Sequence, residues 1–333
     1  MDCAPSRPEL LLRRVNLVHN IATQVQQFRV RDRVRWMTRT STTSLYKSDE
    51  AVCVGVLTRE IADRCVSLGA FEYARSEDHK YNREDQSDTI MMKRDYVTAS
   101  QRSHALAECT TALRDEGRIE GWRDELYNVV SRYDDEEEYC TIERAAAPIF
   151  GTKSYGVHLN GFVLDARNKR PRALWIGRRS KTKQTFPGHL DHIVAGGLTS
   201  GLTPMETAVK ECYEEAGIPE SIAKLARSCG AVSYETVSDR GLKRDVLFCF
   251  DLFLPDDFVP SAMDGEVQSF ELWPIERVVE SLLRDPNDER SDEQFKPNVA
   301  LVIIDALLRN GIITPEERGY LTLLDSMRQG DCS

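Results

Sequence analysis

Residues 196–218 read GGLTSGLTPMETAVKECYEEAGI: a double-glycine bend, a polar loop and a helix. Thr203 is a good N-cap, and Pro204 suits the first helical turn, where a missing N–H costs nothing. Gly217 stands where the helix stops. Between them Met205, Ala208, Val209, Cys212 and Ala216 share the face that packs on a core. Glu211, Glu214 and Glu215 stand at i, i+3 and i+4 and gather within about 100° of arc on another face. Three such carboxylates repel one another. Either the face is simply solvated, or a hard divalent cation with oxygen ligands neutralises it. Magnesium shared between carboxylates and substrate phosphates is the natural case, with manganese as its substitute.

The surroundings give this helix a sheet to pack on. YGVHLNGFVLD (155–165) and ALWIGRR (173–179) read as two strands joined by a basic turn, and HIVAGG (192–197) as a third that ends at the glycines. AVSYETV (231–237), DVLFCFDLFL (245–254) and VQSFELW (267–273) are further strands. Helices are predicted over 275–284, 298–309 and 315–327. Strands and helices mix without strict alternation, which favours an α/β/α sandwich around a mixed sheet. Upstream, helices are predicted over 8–23, 57–67 (capped by Thr58) and 99–115, a strand over 27–37, and a polar loop over 77–88. The acidic run 134–138 marks a boundary, so residues 1–140 are expected to form a smaller α+β domain and 141–330 the sandwich. A catalytic role for that run is not expected.

The chain has 333 residues, 41% hydrophobic and 29% charged, with a formal net charge of -10. That charge argues against non-specific nucleic-acid binding, which needs a broad basic surface. A local cationic cluster still suits an anionic small molecule. The apolar runs are too short to span a bilayer, and the first twenty residues lack a secretory pattern. Nine cysteines at irregular spacing, with no C-x-x-C, point to free thiols in a reducing compartment. A cytoplasmic location follows, with organellar import left open. Cys212, on the apolar helix face, is expected to be buried and inert.

The stretch 196–218 resembles the Nudix box, G-x5-E-x7-R-E-U-x-E-E-x-G-U, where U is apolar. Gly196 matches its first position; Lys210, Glu211, Cys212, Glu214, Glu215, Gly217 and Ile218 match its last part. Leu202 and Lys210 replace the box's first Glu and its Arg. The segments 122–127, 143–163, 174–197, 264–273 and 295–311 are similar to a group of Nudix proteins related to thiamine pyrophosphokinase, which carry an extra N-terminal domain. In that group both departures are usual. The resemblance implies a Nudix fold and a metal-dependent hydrolase of damaged thiamine diphosphates, the oxy and oxo forms, giving monophosphate and phosphate. Nucleoside di- or triphosphates are the alternative substrates, and a catalytically silent binding module is the alternative class. An isoprenoid diphosphate isomerase is disfavoured, because the matching loop offers no cysteine.

On this reading Glu211, Glu214 and Glu215 hold the metal, aided by the Gly196 carbonyl. Glu266 resembles the distant acid that many Nudix enzymes bring from a later loop or strand to bind metal or act as base, with a surface acid after a turn as the competing reading. The general base is one of Glu211, Glu214 and Glu266. Arg178, Arg179, Lys181 and Lys183 are candidates to grip the diphosphate, Arg bidentately, or they form a solvated basic turn. His158 and Asn160 share a strand face and are candidates for contact with a heterocycle, with core packing the competing reading of His158. Lys296 is a candidate substrate contact. Asn298 is read mainly as a helix cap, and Trp175 and Phe186 as core. The expected partner is a small-molecule diphosphate, with no nucleic acid and no membrane; a homodimer is left open.

Overall fold

Alternation in the central strands has two apolar faces to satisfy, and the computed structural model covers both with helices. It describes residues 5–18, 33–39, 51–74, 89–135, 138–238, 240–288 and 292–330. The N-terminal elements are α1 (Arg7–Val18), β1 (Arg33–Arg39), β2 (Ala51–Thr58), α2 (Arg59–Ser67), β3 (Phe71–Tyr73), β4 (Thr89–Met92), α3 (Ala99–Asp115), β5 (Leu126–Val129), β6 (Cys140–Glu143) and α4 (Ala147–Phe150). Then come β7 (Lys153–Leu164), β8 (Pro171–Arg179), β9 (Leu190–Asp191), β10 (Val194–Gly197), α5 (Pro204–Ala216), α6 (Glu220–Ala223), β11 (Arg227–Ser238), β12 (Gly241–Phe253), β13 (Val267–Pro274), α7 (Ile275–Leu283), α8 (Pro297–Arg309) and α9 (Tyr320–Ser326). The expected loop 77–88 and the outer parts of the helix 8–23 and the strand 27–37 lie outside the described residues.

The larger sheet has the order β11-β12-β7-β8-β13, with β10 on β7 and β9 on β8. The β12–β7 pair is parallel and the others are antiparallel, so the sheet is mixed. One face packs Val157, Leu159, Trp175 and Phe250 against Ala208, Cys212 and Ala216 of α5. The other packs Phe162, Leu174, Ile176 and Cys249 against α7, α8 and α9. This is the α/β/α sandwich. Since successive strand residues alternate in direction, His158 and Asn160 share the α8 side with Phe162.

The N-terminal residues build their own core. The sheet β2-β1-β4-β3 and the helices α2 and α3 enclose Trp36, Phe71, Leu106 and Phe150. Thr58 caps α2, as its position predicts, and Thr98 forms a capping box with Gln101 on α3. The antiparallel hairpin β5–β6 closes this unit. The division expected at residue 140 falls at the start of β6, and the core of this unit extends to Phe150. Helix α1 is not part of it. Leu11, Val15 and Val18 pack with α7, α8 and α9, and buried Arg14 donates to the carbonyls of Ser281 (2.9 Å) and Leu282 (2.8 Å) at the end of α7. A buried guanidinium thus satisfies helix-end carbonyls that otherwise lack partners.

Candidate active site

The site forms where β10 ends against α5. Thr203 and Glu206 make a capping box at the start of α5, and Gly217 ends it in the left-handed region at φ 62°. This fixes the helix along β10. A Cβ on Gly196 would lie 2.5 Å from Glu211 Cδ, so only glycine lets the bend approach that carboxylate. On Gly197 a Cβ would lie 2.2 Å from the hydroxyl of Tyr127, which arrives from β5.

The three box glutamates do different things. Glu215 is buried and accepts a hydrogen bond from the Ala195 N–H at 2.9 Å. Glu211 is half-buried beside Gly196. Glu214 points outward and pairs with Lys210 at 2.7 Å. The carboxylate that joins Glu215 comes from the loop before β13: oxygens of Glu215, Asp264 and Glu266 lie within 4.8 Å of one another. Glu266 was expected from the sequence, but Asp264 was not. The Glu266 N–H donates to Asp264 at 2.8 Å, which sets the turn that presents both.

Electrostatics mark this cluster as short of positive charge at its buried end. Burial pushes Glu215 well above the usual carboxylate range; Asp191, Glu211 and Asp264 add to this, and the Ala195 N–H opposes it. Burial raises Glu211 too, against the pull of Lys210. Glu266 behaves oppositely. Burial favours its neutral form, but the Lys183 ion pair, then Arg144 and Arg179, hold it below the usual range. An all-oxygen donor set with a buried carboxylate seeking charge fits a hard divalent cation.

Cations lie close to the cluster. Arg179 binds Asp191 at 2.6 Å and the carbonyls of Thr185 and Phe186. Burial lowers Lys296 to about 8, with Asp191 opposing and Arg179, Lys243 and Arg144 contributing. Burial would raise Asp191, yet Lys296, Arg179 and the two histidines hold it at about 2. Lys243 bonds Asp245 at 2.7 Å and Tyr234 at 2.9 Å. The sequence did not single out Arg144, Lys243 or Asp191. Arg144 and Lys243 lie far along the chain from the box, and Asp191, five residues before Gly196, has no spacing that marks it.

Some predicted residues lie elsewhere. Arg178 donates to the carbonyls of Gly188 (3.1 Å) and Asp292 (2.9 Å) and, with Lys181, lines a separate recess of about 610 Å³. No residue of the acidic cluster lines that recess, because Arg178 is on the α8 side of β8 while Arg179 faces the site. Asn160 is fully buried and donates to Asp251 at 2.9 Å. Asp251 is gripped by Arg309, so Asn160 is a structural residue rather than a ligand contact. His158 is buried with its Nδ1 3.0 Å from that of His192. Burial is the main cause lowering both histidines, His192 to about 4, so this pair is uncharged at neutral pH. Asn298 is buried and does not cap α8, whose N-cap is Lys296. Trp175 is buried, as expected, but Phe186 is 41% exposed and the core reading does not hold for it. Cys212 is buried, and burial raises its thiol to about 12. The seven described cysteines are free thiols.

A glycine bend leading into an acid-bearing helix, packed on a mixed sheet with a later acidic loop, defines a Nudix fold. Residues 156–297 match the NUDIX domain family, and residues 54–154 match a domain of unknown function, DUF4743. The chain is a member of the Nudix superfamily, with its Nudix domain preceded by this second domain. It is 48% identical over 232 residues to Nudix hydrolase 20, chloroplastic, of Arabidopsis thaliana, covering 70% of this chain and 59% of the relative. It is 47% identical over 233 residues to Nudix hydrolase 24, chloroplastic, of the same plant, covering 70% and 61%. The chain therefore spans about three fifths of the length of these curated relatives. The NUDIX domain of Shewanella oneidensis NrtR, solved with ADP ribose, is a structural neighbour with TM-score 0.36 and 13% identity, covering 48% of this chain and 90% of that one. Among the described residues no helix is long and apolar enough to cross a membrane.

Proposed function

We infer that the protein is a magnesium-dependent hydrolase that cleaves the diphosphate of a small organic molecule. The observation that carries this is the convergence of Glu215, Asp264 and Glu266 with cations close by. The three carboxylates would hold the ion, with the Gly196 carbonyl at their edge. A bound divalent cation supplies charge for the phosphate oxygens and makes a water more acidic. Lys296, Arg179 and Lys183 bind the diphosphate and compensate the charge that builds on it during attack. Glu211 is the carboxylate of α5 beside the bend that stands outside the oxygen cluster, and it takes the proton of the attacking water. Glu214, exposed and paired with Lys210, would be an outward ligand for a second ion.

The substrate class rests on the sequence resemblance: oxy and oxo thiamine diphosphates, cleaved to monophosphate and phosphate. The site is read as working in the cytoplasm or in an organelle; the Arabidopsis relatives are named as chloroplastic. The test is phosphate release from oxythiamine diphosphate, thiamine diphosphate and oxidised nucleotides, with and without magnesium. Preferred, magnesium-dependent turnover of the oxythiamine compound is expected. Preference for nucleotides would overturn the substrate assignment, and turnover that survives chelation would overturn the mechanism.

A further inference from the structure

We propose that the N-terminal domain completes the Nudix site, and that Arg144 at the end of its hairpin is an anion-binding residue for the substrate's diphosphate. The proposal rests on the hydrolase reading above, and it gives the preceding domain a chemical task.

The hairpin β5–β6 is locked onto the double-glycine bend. The Tyr127 hydroxyl occupies the space that a Cβ on Gly197 would need. The Arg144 N–H donates to the Glu125 carbonyl at 2.9 Å, and its Nη1 donates to the Glu125 carboxylate at 2.7 Å. Its guanidinium lies 5.7 Å from the Tyr127 ring centre, a cation–π contact. Backbone, carboxylate and ring therefore hold Arg144 in one orientation, beside the bend that carries Gly196 and Gly197. Among the described residues, Nε and Nη2 carry no hydrogen bond. The side chain stays 43% exposed, so a ligand can reach it.

The charge of Arg144 acts on residues that belong to the other domain. Its charge is near enough to be felt at Glu266 and at Lys296. Arg144 is thus held over Tyr127 beside the Gly196–Gly197 bend, within electrostatic reach of the acidic cluster and of Lys296. A guanidinium with one edge anchored and the other open is suited to bidentate binding of a phosphate. A purely structural role would satisfy the whole guanidinium within the hairpin. The other cations come from the Nudix sheet and α8, so the anion is gripped from both domains.

The experiment compares wild type, Arg144→Gln and Arg144→Lys in full-length protein with magnesium. Imidodiphosphate, which resists hydrolysis, is titrated by calorimetry, and thermal midpoints are recorded alongside. Arg144→Gln is expected to bind at least about tenfold more weakly, the loss of one charge-assisted contact, with an unchanged midpoint. Arg144→Lys is expected to fall between, because it keeps the charge and loses the fork. If Arg144→Gln does not fold, weaker binding by folded Arg144→Lys supports the proposal in its place. Equal affinity in wild type and variants, or no binding by wild type, overturns the proposal. Wild type that binds imidodiphosphate yet releases no phosphate from any substrate sinks the hydrolase reading alone, and the variant comparison still decides the role of Arg144.

Discussion

Glu215→Gln separates the metal-site reading from a merely structural one, because the two predict opposite effects on the metal-free protein. Glu215 is buried, its neighbours Asp191, Glu211 and Asp264 are acidic, and its carboxyl is raised well above the usual range, chiefly by burial. A carboxyl raised on folding binds more protons folded than unfolded. Its contribution to stability is therefore greatest in acid and declines as pH rises above the unfolded value of about 4.3. The decline is about 1.4 kcal/mol per pH unit and so at most about 3.7 kcal/mol at pH 7. Water and rearrangement around the site make the actual decline smaller than this bound. Glutamine keeps the acceptor for the Ala195 N–H and removes the charge. Metal-free Glu215→Gln should thus melt higher than wild type, by about 2–4 °C for each kcal/mol. Magnesium should raise the wild-type midpoint, since a ligand at a hundred times its Kd adds about 2.7 kcal/mol, and should leave the variant almost unmoved. Phosphate release should fall by about 10²–10⁴, several kcal/mol of lost charge stabilisation. Differential scanning calorimetry and phosphate release on the same samples decide it. A variant that melts lower without metal and keeps the magnesium shift would refute the reasoning.

Gly197→Ala drives a methyl into the Tyr127 hydroxyl; a destabilisation of about 1–3 kcal/mol and a loss of turnover are expected, and an unchanged melt with full activity would contradict the close packing. Arg309→Ala leaves Asp251, bonded at 2.7 Å, buried without its cation, and Asp305 with Arg328 at 3.0 Å in place of two arginines; about 3–5 kcal/mol of stability should be lost in urea unfolding, and a loss under about 1 kcal/mol would mean that the network is slack. Lys296 sits at about 8 because burial lowers it, so its charge is present below pH 8 and vanishes above. KM for a diphosphate should therefore rise as pH passes upward through about 8 to 9 in wild type and not in Lys296→Met; a flat wild-type profile would remove Lys296 from the anion site.

The sandwich was legible because its signals are local. The cap at Thr203, the stop at Gly217 and the alternation of 155–165 need only neighbours in sequence, and α3 begins and ends where its periodicity predicts. The short strands β3, β5 and β6, at 3–4 residues, carry too few alternations to be read. The position of α1 was hidden for another reason. Nothing in RPELLLRRVNLV names the surface it covers, and the partner helices lie about 270 residues on. The site divides in the same way. Glu211 and Glu215 announce themselves by spacing, whereas the choice of Arg179 over Arg178 depends on which face of β8 each residue takes. Asn160 shows the opposite failure: its strand position suggested a pocket, and a buried carboxylate had already claimed it.

A chain with net charge -10 must still attract a diphosphate to a site whose own ligands are anionic. Burial lowers Lys296, and Arg179 and Lys243 near it add to this. Glu215, Asp264 and Glu266 crowd one another likewise. Arg179 and Lys243 are paired with Asp191 and Asp245 rather than with this acidic trio. Lys183 is the exception, as it already neutralises Glu266. A cation placed among the carboxylates and a diphosphate placed against the lysines would relieve both strains together. Metal and substrate should therefore bind with positive coupling: imidodiphosphate affinity should rise with magnesium, and magnesium affinity should rise by the same factor with imidodiphosphate. Independent binding of the two would mean that the acidic and basic groups do not share a common ligand.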